Sequence, residues 1–121
     1  MFAELTRPAA PRAVREWTES HPAWLEIRTP KEKALVAQLD PGESQAIALA
    51  IEMGGGVLLI DERSGRREAQ RRGLSVAGTL SILDDASHAG LLNFDLAIAR
   101  LLKTNFRVSR SVLAALMQRR P

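Results

Sequence analysis

Residues 40–61 read DPGESQAIALAIEMGGGVLLID, a pattern that indicates a helix followed directly by a strand. Asp40 followed by Pro41 predicts the start of a helix, with the aspartate as N-cap and the proline at the first helical position. The residues that follow are apolar nearly all round, which predicts a deeply buried helix that ends at the three consecutive glycines. The wholly apolar run of residues 57–60 then ends at Asp61. We therefore expect a strand buried on both faces, as in a parallel sheet.

The flanking segments extend this pattern in both directions. Towards the C-terminus we expect an arginine-rich helix over residues 62–72, a short strand over 74–77, and helices over 79–89, 95–103 and 109–119. Towards the N-terminus we expect a helix over residues 11–19, a short alternating strand over 23–28 and a polar connection over 29–39. Strands that alternate with helices predict an α/β fold with a parallel sheet, and 121 residues predict a single domain with a small core.

The composition excludes several kinds of site. The chain has no cysteine, which excludes disulfides, thiolate catalysis and cysteine metal ligands. Its two histidines, His21 and His88, lack the spacing of a zinc motif, so any metal is expected to be a hard ion held by carboxylates. With no tyrosine present, Trp17 and Trp24 are expected as core anchors rather than as platforms for stacked bases. No apolar run is long enough for a membrane span and residues 1–12 lack a signal-peptide core, so we expect a cytoplasmic protein without membrane association.

Two acidic residues are expected at one end of the sheet. Asp61 ends the strand of residues 57–60, and Glu43 opens the helix that precedes this strand. Because the helix runs antiparallel to the strand, its N-terminus lies near the strand's carboxyl end, where open parallel sheets bind ligands. Two carboxylates at that end predict a Mg²⁺ or Mn²⁺ site that polarises a phosphate and activates water. Each acid also has a plainer interpretation, in which Glu43 closes a capping box with Asp40 and Asp61 caps the next helix.

Four segments, in this order and spacing, resemble one protein family. They read DPGESQAIALA (residues 40–50), LLIDERSGR (58–66), GLSVAGTLSIL (73–83) and AGLL (89–92). The chain closely resembles an uncharacterised branch of the PIN-domain-like superfamily, which is related to the VapC-type toxin ribonucleases. The resemblance covers most of the chain. It implies a three-layer α/β fold in which a short parallel sheet is flanked by helices, and it implies RNA hydrolysis with Mg²⁺ or Mn²⁺ held by acidic residues.

The resemblance also assigns roles to individual residues. Glu4, in the Glu-Leu motif of residues 4–5, matches an acidic ligand of the family, as do Glu43 and Asp61, so these three are the expected catalytic and metal-binding residues. Arg63 and Arg66 match basic positions of this branch. Arg67 lies beside them in an arginine cluster that suits phosphate contacts, although the charge alone favours a solvated helix face as the explanation. The expected nucleic-acid-binding residues are Arg63, Arg66 and Arg67.

One part of the family pattern has no counterpart. The family normally begins with a strand that carries an Asp-Thr-Ser-type motif, followed by a helix and a second strand, whereas Met1 stands three residues before Glu4. We therefore expect a partial, N-terminally truncated PIN-like domain that lacks the leading aspartate ligand. A missing inner strand leaves an unpaired edge, which predicts a homodimer or strand exchange. Alternatively, the natural start lies upstream.

Three functions remain as hypotheses. The first is a metal-dependent endoribonuclease of the PIN/VapC type, with RNA as substrate and a cognate antitoxin as partner. The second is a catalytically inactive PIN-like module that binds nucleic acid or protein. The third is a structural dimer that remains from a toxin–antitoxin pair. Cleavage of RNA favours the first, salt-dependent RNA binding without cleavage favours the second, and an absence of RNA binding favours the third.

Overall fold

The chain forms two compact units of helices and strands. The computed structural model describes residues 2–32 and 39–118, and the units span Met1–Gly56 and Val57–Pro121. The first unit contains α1 (Phe2–Thr6), α2 (Arg12–Ser20) and α3 (Pro41–Met53). The second unit contains β1 (Val57–Leu59), α4 (Arg63–Arg71), β2 (Ser75–Ala77), α5 (Thr79–His88), α6 (Phe94–Leu101) and α7 (Arg110–Gln118). The predicted α/β class is confirmed. Residues 33–38 of the predicted connection, and Arg119 at the end of the last predicted helix, lie outside the described residues.

Helix α3 begins and ends where the sequence predicts. The Asp40 side chain accepts a hydrogen bond from the Glu43 backbone N–H at 2.8 Å, and Pro41 occupies the first turn. Gly54 ends the helix with a φ of 71°, a left-handed conformation that glycine adopts without steric cost. Both signals are local, because they depend on residues within one turn of the helix end.

The burial of α3 is less complete than predicted. Ser44 and Ile47 are buried, whereas Ile51 and Met53 are exposed. A helix that is buried all round needs neighbours on every side. Among the described elements of the first unit, the main helix–helix contact joins α1 and α2 instead. Some of the apolar side chains of α3 are therefore exposed, because the described elements of its unit do not surround the helix.

The predicted strand over residues 23–28 is wrong. These residues form a turn, in which the Leu25 N–H donates to the Pro22 carbonyl at 2.9 Å, followed by irregular chain. The alternating pattern buries no face, because Trp24 is 76% exposed and Ile27 is 49% exposed. A strand also needs a backbone partner, and the described residues supply none here.

The expectation that both tryptophans anchor the core is also wrong. Trp17 and Trp24 are exposed and contact each other, with ring centroids 6.0 Å apart and ring planes inclined by 52°. This tilted arrangement is a favourable geometry for an aromatic pair. The ring contact lies on the surface of the protein. It stabilises the packing of the turn at residues 23–24 against α2.

The second unit is built around a parallel β1–α4–β2 arrangement. The two strands pair in the register Val57↔Ser75, Leu58↔Val76 and Leu59↔Ala77. Helix α4 connects them and packs against β2, with Gly65 and Ala69 as its buried residues. The burial of Gly65 four residues before Ala69 places two small residues on the packed face of α4.

The predicted burial of β1 on both faces is wrong. Val57 is 62% exposed and Leu59 is 59% exposed, while Leu58 between them is half-buried. Successive side chains of a strand point to opposite faces, so one face of β1 is open. The run becomes buried only at Ile60, after the strand ends. The continuous apolar sequence of residues 57–60 predicted a strand buried on both faces. Burial depends on the elements that pack against a strand, however, and these four residues do not specify them.

The last three helices complete the second unit. Asn93 caps α6 by accepting from the Leu96 N–H at 3.0 Å. Helix α6 contacts α5, and its buried residues are Phe94 and Ile98. Helix α7 follows Ser109, whose hydroxyl lies 3.5 Å from the Val112 nitrogen. Across the described part of the chain, no helix is both long enough and apolar enough to cross a membrane.

Candidate functional site

Asp61 lies at the carboxyl end of β1, where the sequence places a metal ligand. Its Oδ1 accepts from the Thr79 backbone N–H at 2.8 Å, and its Oδ2 accepts from the Thr79 hydroxyl at 2.6 Å. Ile60 continues the pairing beyond β1 by donating its N–H to the Ala77 carbonyl at 2.9 Å. The parallel pairing thus brings the residues that follow β1 and β2 together. Asp61 meets Thr79 although the two are 18 positions apart.

The plainer interpretation, in which Asp61 caps the helix directly after it, is wrong. Asp61 accepts from the N-terminus of α5 and not from that of α4. The N-cap of α4 is Glu62, which makes no capping hydrogen bond through its side chain. Asp61 instead reaches the first residue of α5, whose own N-cap, Gly78, has no side chain to accept a bond. A carboxylate at a helix N-terminus is stabilised by the exposed N–H groups and by the positive end of the helix dipole.

Gly78 makes room for this contact. A Cβ atom at this position would lie 2.9 Å from Asp61 Oδ1 and 3.7 Å from the Arg66 Nη1 atom. The backbone of Gly78 has a φ of −112°, which any residue can adopt. A side chain here would therefore shift the Asp61 carboxylate, so the glycine matters for space rather than for its conformation. It allows the Asp61 carboxylate and the Arg66 guanidinium to approach the same point.

The first unit gathers acidic side chains at the start of α3. Asp40 Oδ1 and Glu4 Oε1 lie 3.4 and 3.5 Å from the position that a Cβ atom on Gly42 would occupy. Asp40 also binds the Glu43 N–H, which is one half of the predicted capping box. Glu43 itself is half-buried in the first turn of α3. Glu4 from α1 and Glu43 from α3 are therefore brought to the same helix end, together with Asp40.

The arginines of α4 fall into two groups. Glu68 accepts from Arg71 Nη2 at 2.6 Å and from Arg72 Nε at 2.8 Å. These hydrogen bonds, with that from Arg71 the stronger influence, lower the pKa of Glu68 to about 2, and the same carboxylate raises the pKa of Arg71. Arg71 and Arg72 are thus held in an ion-pair network with Glu68, so the arginine cluster is not one uniform phosphate-binding surface.

The other group is available for an external anion. It consists of Arg63, Arg66 and Arg67, none of which forms an ion pair with a carboxylate within residues 2–32 and 39–118. Arg63 and Arg67 line a shallow depression of about 520 Å³ together with Glu62 and Ser64. Guanidinium groups without internal carboxylate partners suit phosphate contacts, because each presents several N–H donors in a fixed plane.

In each unit taken by itself, the donor atoms suit a hard divalent cation rather than zinc. Glu4, Asp40 and Glu43 offer carboxylate oxygens in the first unit, and Asp61 and Glu62 offer them in the second. Carboxylate oxygens are the ligands that Mg²⁺ and Mn²⁺ prefer. The ring of His88 lies against its own helix, with Nδ1 at 2.8 Å from the Asp84 carbonyl. An imidazole held in this way does not form part of a histidine-rich site.

The family of the chain follows from comparison with known proteins. A family model described as "DUF3368: PIN domain" matches residues 1–120, and the chain therefore belongs to the PIN-domain family. PIN domains have a nuclease-type fold and generally use divalent metal ions. No curated protein and no solved structure matches the chain.

Two residues at the site were not singled out from the sequence. Asp40 was assigned only as a cap, although its spacing three residues before Glu43 places it on the same helix end. Thr79 was assigned only as the start of a helix. The rule that led to Asp61, that ligands bind where parallel strands end, applies equally to Thr79 after β2 and would have identified it.

Proposed function

We propose that this chain is a metal-dependent endoribonuclease of the VapC type. It hydrolyses RNA phosphodiesters with Mg²⁺ or Mn²⁺, and its catalytic and metal-binding residues are Glu4, Glu43 and Asp61. The observation that carries the proposal is the Asp61 carboxylate, fixed by two hydrogen bonds at the carboxyl end of a parallel strand in a member of the PIN-domain family. The gathering of Glu4 and Glu43 at one end of α3 supports it.

Each group of residues has a separate task in this reaction. The bound cation would polarise the phosphate and activate water for in-line attack. Asp61 contributes a carboxylate whose orientation is set by Thr79, and Glu4 and Glu43 contribute further negative charge and oxygen ligands. Three arginines of α4, which form no ion pair with a carboxylate among the described residues, hold the RNA backbone on either side of the scissile phosphate. They are Arg63, Arg66 and Arg67.

The second candidate is an inactive module that binds RNA. The observation that favours it is the absence of ion pairs at Arg63, Arg66 and Arg67 among the described residues, since phosphate binding requires these groups whether or not the RNA is cut. The two candidates share the arginine surface and differ at the acidic residues. Only the nuclease requires Asp61.

Two partners belong to the nuclease proposal. A cognate antitoxin would be expected to restrain a toxin-type ribonuclease. A second copy of the chain would form the homodimer, and the exposed face of β1, with Val57 and Leu59, supports an association that covers apolar surface. Light scattering of the purified chain tests the homodimer without reference to RNA.

An RNA cleavage assay tests the nuclease directly. A labelled single-stranded RNA is incubated with the wild-type chain in Mn²⁺ and in EDTA, and with Asp61→Asn in Mn²⁺. We expect cleavage by the wild type in Mn²⁺ alone. Substituting a residue that supports a metal ligand typically lowers activity by roughly 10–100-fold. Because Asp61 is a proposed ligand itself, Asp61→Asn should lower the cleavage rate by more than this.

A matched control separates the site from general effects of charge. Asp95→Asn removes an exposed carboxylate from the first turn of α6 and should cleave as the wild type does. Equal cleavage by Asp61→Asn and the wild type would overturn the assignment of Asp61. Salt-dependent RNA binding with no cleavage by the wild type would favour the binding module.

A further inference from the structure

Thr79 makes more contact with Asp61 than capping a helix requires. The bond from the Thr79 N–H to Asp61 Oδ1 satisfies a backbone donor of α5 and is an ordinary capping interaction. The second bond, from the Thr79 hydroxyl to Asp61 Oδ2 at 2.6 Å, satisfies no backbone group. It holds the second oxygen of the carboxylate and so restrains the rotation of the group.

We infer that Thr79 and Gly78 are positioning residues that hold the Asp61 carboxylate in the orientation needed to bind the divalent cation. The inference rests on the proposed function and adds to it two residues outside the acidic set. Thr79 supplies two donors, one to each oxygen of Asp61. Gly78 supplies the space in which the carboxylate sits, since a Cβ there would lie 2.9 Å from Oδ1.

The contacts leave the carboxylate able to bind a cation. Each carboxylate oxygen has two lone pairs, and Thr79 occupies one on each. Asp61 is exposed, so the remaining lone pairs can be reached from solvent. An exposed aspartate would otherwise sample several rotamers, and ordering it on binding a cation would cost free energy. Residues behind a ligand that fix its orientation in advance reduce this cost.

Threonine is suited to this role by its shape. Its branched Cβ restricts χ1, which holds the hydroxyl beside the backbone N–H of the same residue. The two donors therefore form a fixed pair that matches the two oxygens of one carboxylate. Serine keeps both donors with more rotational freedom, whereas valine keeps the shape and the N–H but loses the hydroxyl.

The test measures Mn²⁺ binding by calorimetry and unfolding by urea without metal, for Thr79→Val, Thr79→Ser and the wild type. We expect Thr79→Val to bind Mn²⁺ roughly 10–100-fold more weakly and Thr79→Ser to recover most of the affinity. Thr104→Val is the matched control. It removes a threonine hydroxyl that donates at 2.6 Å to the Leu101 carbonyl, outside the contacts of Asp61, and should leave Mn²⁺ affinity unchanged.

Gly78→Ala tests the same inference without touching the hydroxyl. The added methyl group must displace Asp61, so this variant should also bind Mn²⁺ more weakly than the wild type. The inference is overturned if Thr79→Val and Gly78→Ala bind Mn²⁺ with the affinity of the wild type, while Asp61→Asn binds it more weakly. Lower stability to urea with unchanged Mn²⁺ affinity would show that Thr79 is a structural partner only. A wild type that binds no Mn²⁺ would overturn the proposed function together with this inference.

Discussion

At the scale of single residues, Glu68 is the acid whose titration the structure alters most clearly. Two arginines donate to its carboxylate and lower its pKa from 4.5 to about 2. A group with a lowered pKa in the folded state contributes stability above its unfolded pKa, and loses that contribution as pH falls through the folded value. The contribution of Glu68 is therefore complete above pH 4.5 and disappears as the pH falls towards about 2.

Replacing Glu68 by glutamine should expose this dependence. Glu68→Gln should be less stable than the wild type at neutral pH, and the difference should shrink between pH 4.5 and about 2, because protonated Glu68 has lost the same charge. Urea unfolding across this range measures the difference. Glu16→Gln is the control, since its ion pair with Arg12 is mostly exposed and should contribute little at any pH. A difference for Glu68→Gln that does not change with pH would contradict the prediction.

Asp61 illustrates what the sequence predicts at this scale. Its place at the end of a strand could be predicted, because an apolar run followed by an acid is a local pattern. Its hydrogen bonds to Thr79 could not, because they depend on the register between β1 and β2. The same limit applies to the space that Gly78 leaves. Its backbone angles are ordinary, so nothing local reveals the need for glycine.

At the scale of secondary-structure elements, the apolar residues around β1 differ sharply in burial. Ile60 is 8% exposed and Leu59 is 59% exposed, although the two are adjacent in one apolar run. Ile60→Ala should lower the free energy of unfolding by about 2–5 kcal/mol, since it leaves a cavity. Leu59→Thr, which keeps a good strand former on an exposed face, should change it by only about 0.5 kcal/mol. Urea unfolding measures both, and similar losses would show that the exposed face of β1 is covered in solution.

Helix α3 provides a second prediction at this scale. Asp40→Ala removes the acceptor of the Glu43 N–H and should cost about 1 kcal/mol of stability, whereas Asp40→Asn should retain most of it. Asn93→Ala makes the equivalent change at α6 and should cost a similar amount. Urea unfolding followed by circular dichroism measures all three variants. An Asp40→Ala chain as stable as the wild type would contradict the role of Asp40 as a cap.

The contrast between helix ends and strands explains which elements could be predicted. The ends of α3 follow from Asp40, Pro41 and Gly54, which act within one helical turn. The alternation of residues 23–28 indicated a strand, but a strand exists only where another backbone pairs with it. The apolar run of β1 became a strand because β2 lies beside it, although its full burial did not follow.

At the scale of the whole molecule, RNA binding should depend on Arg63, Arg66 and Arg67 of α4. Each phosphate contact to single-stranded RNA contributes about −0.7 to the slope of log affinity against log salt concentration. Arg67→Ala should weaken binding and make this slope shallower by about 0.7. Fluorescence titrations at several salt concentrations measure both quantities. The control is Arg12→Ala, which removes an arginine already paired with Glu16 and should leave the slope unchanged. Equal slopes for the wild type, Arg67→Ala and Arg12→Ala would contradict the assignment of Arg67 to RNA binding.

We propose that the acidic residues Glu4, Glu43 and Asp61 of this PIN-domain chain bind a divalent cation. Calorimetric titration of Mn²⁺ into the wild type, and into a variant with both Glu43→Ala and Asp61→Ala, measures this binding without reference to RNA. We predict saturable binding by the wild type and none by the double variant, because the two substitutions remove two of the three proposed ligands. Binding that survives both changes would show that the cation is held elsewhere. A wild type that does not bind Mn²⁺ would contradict the claim altogether.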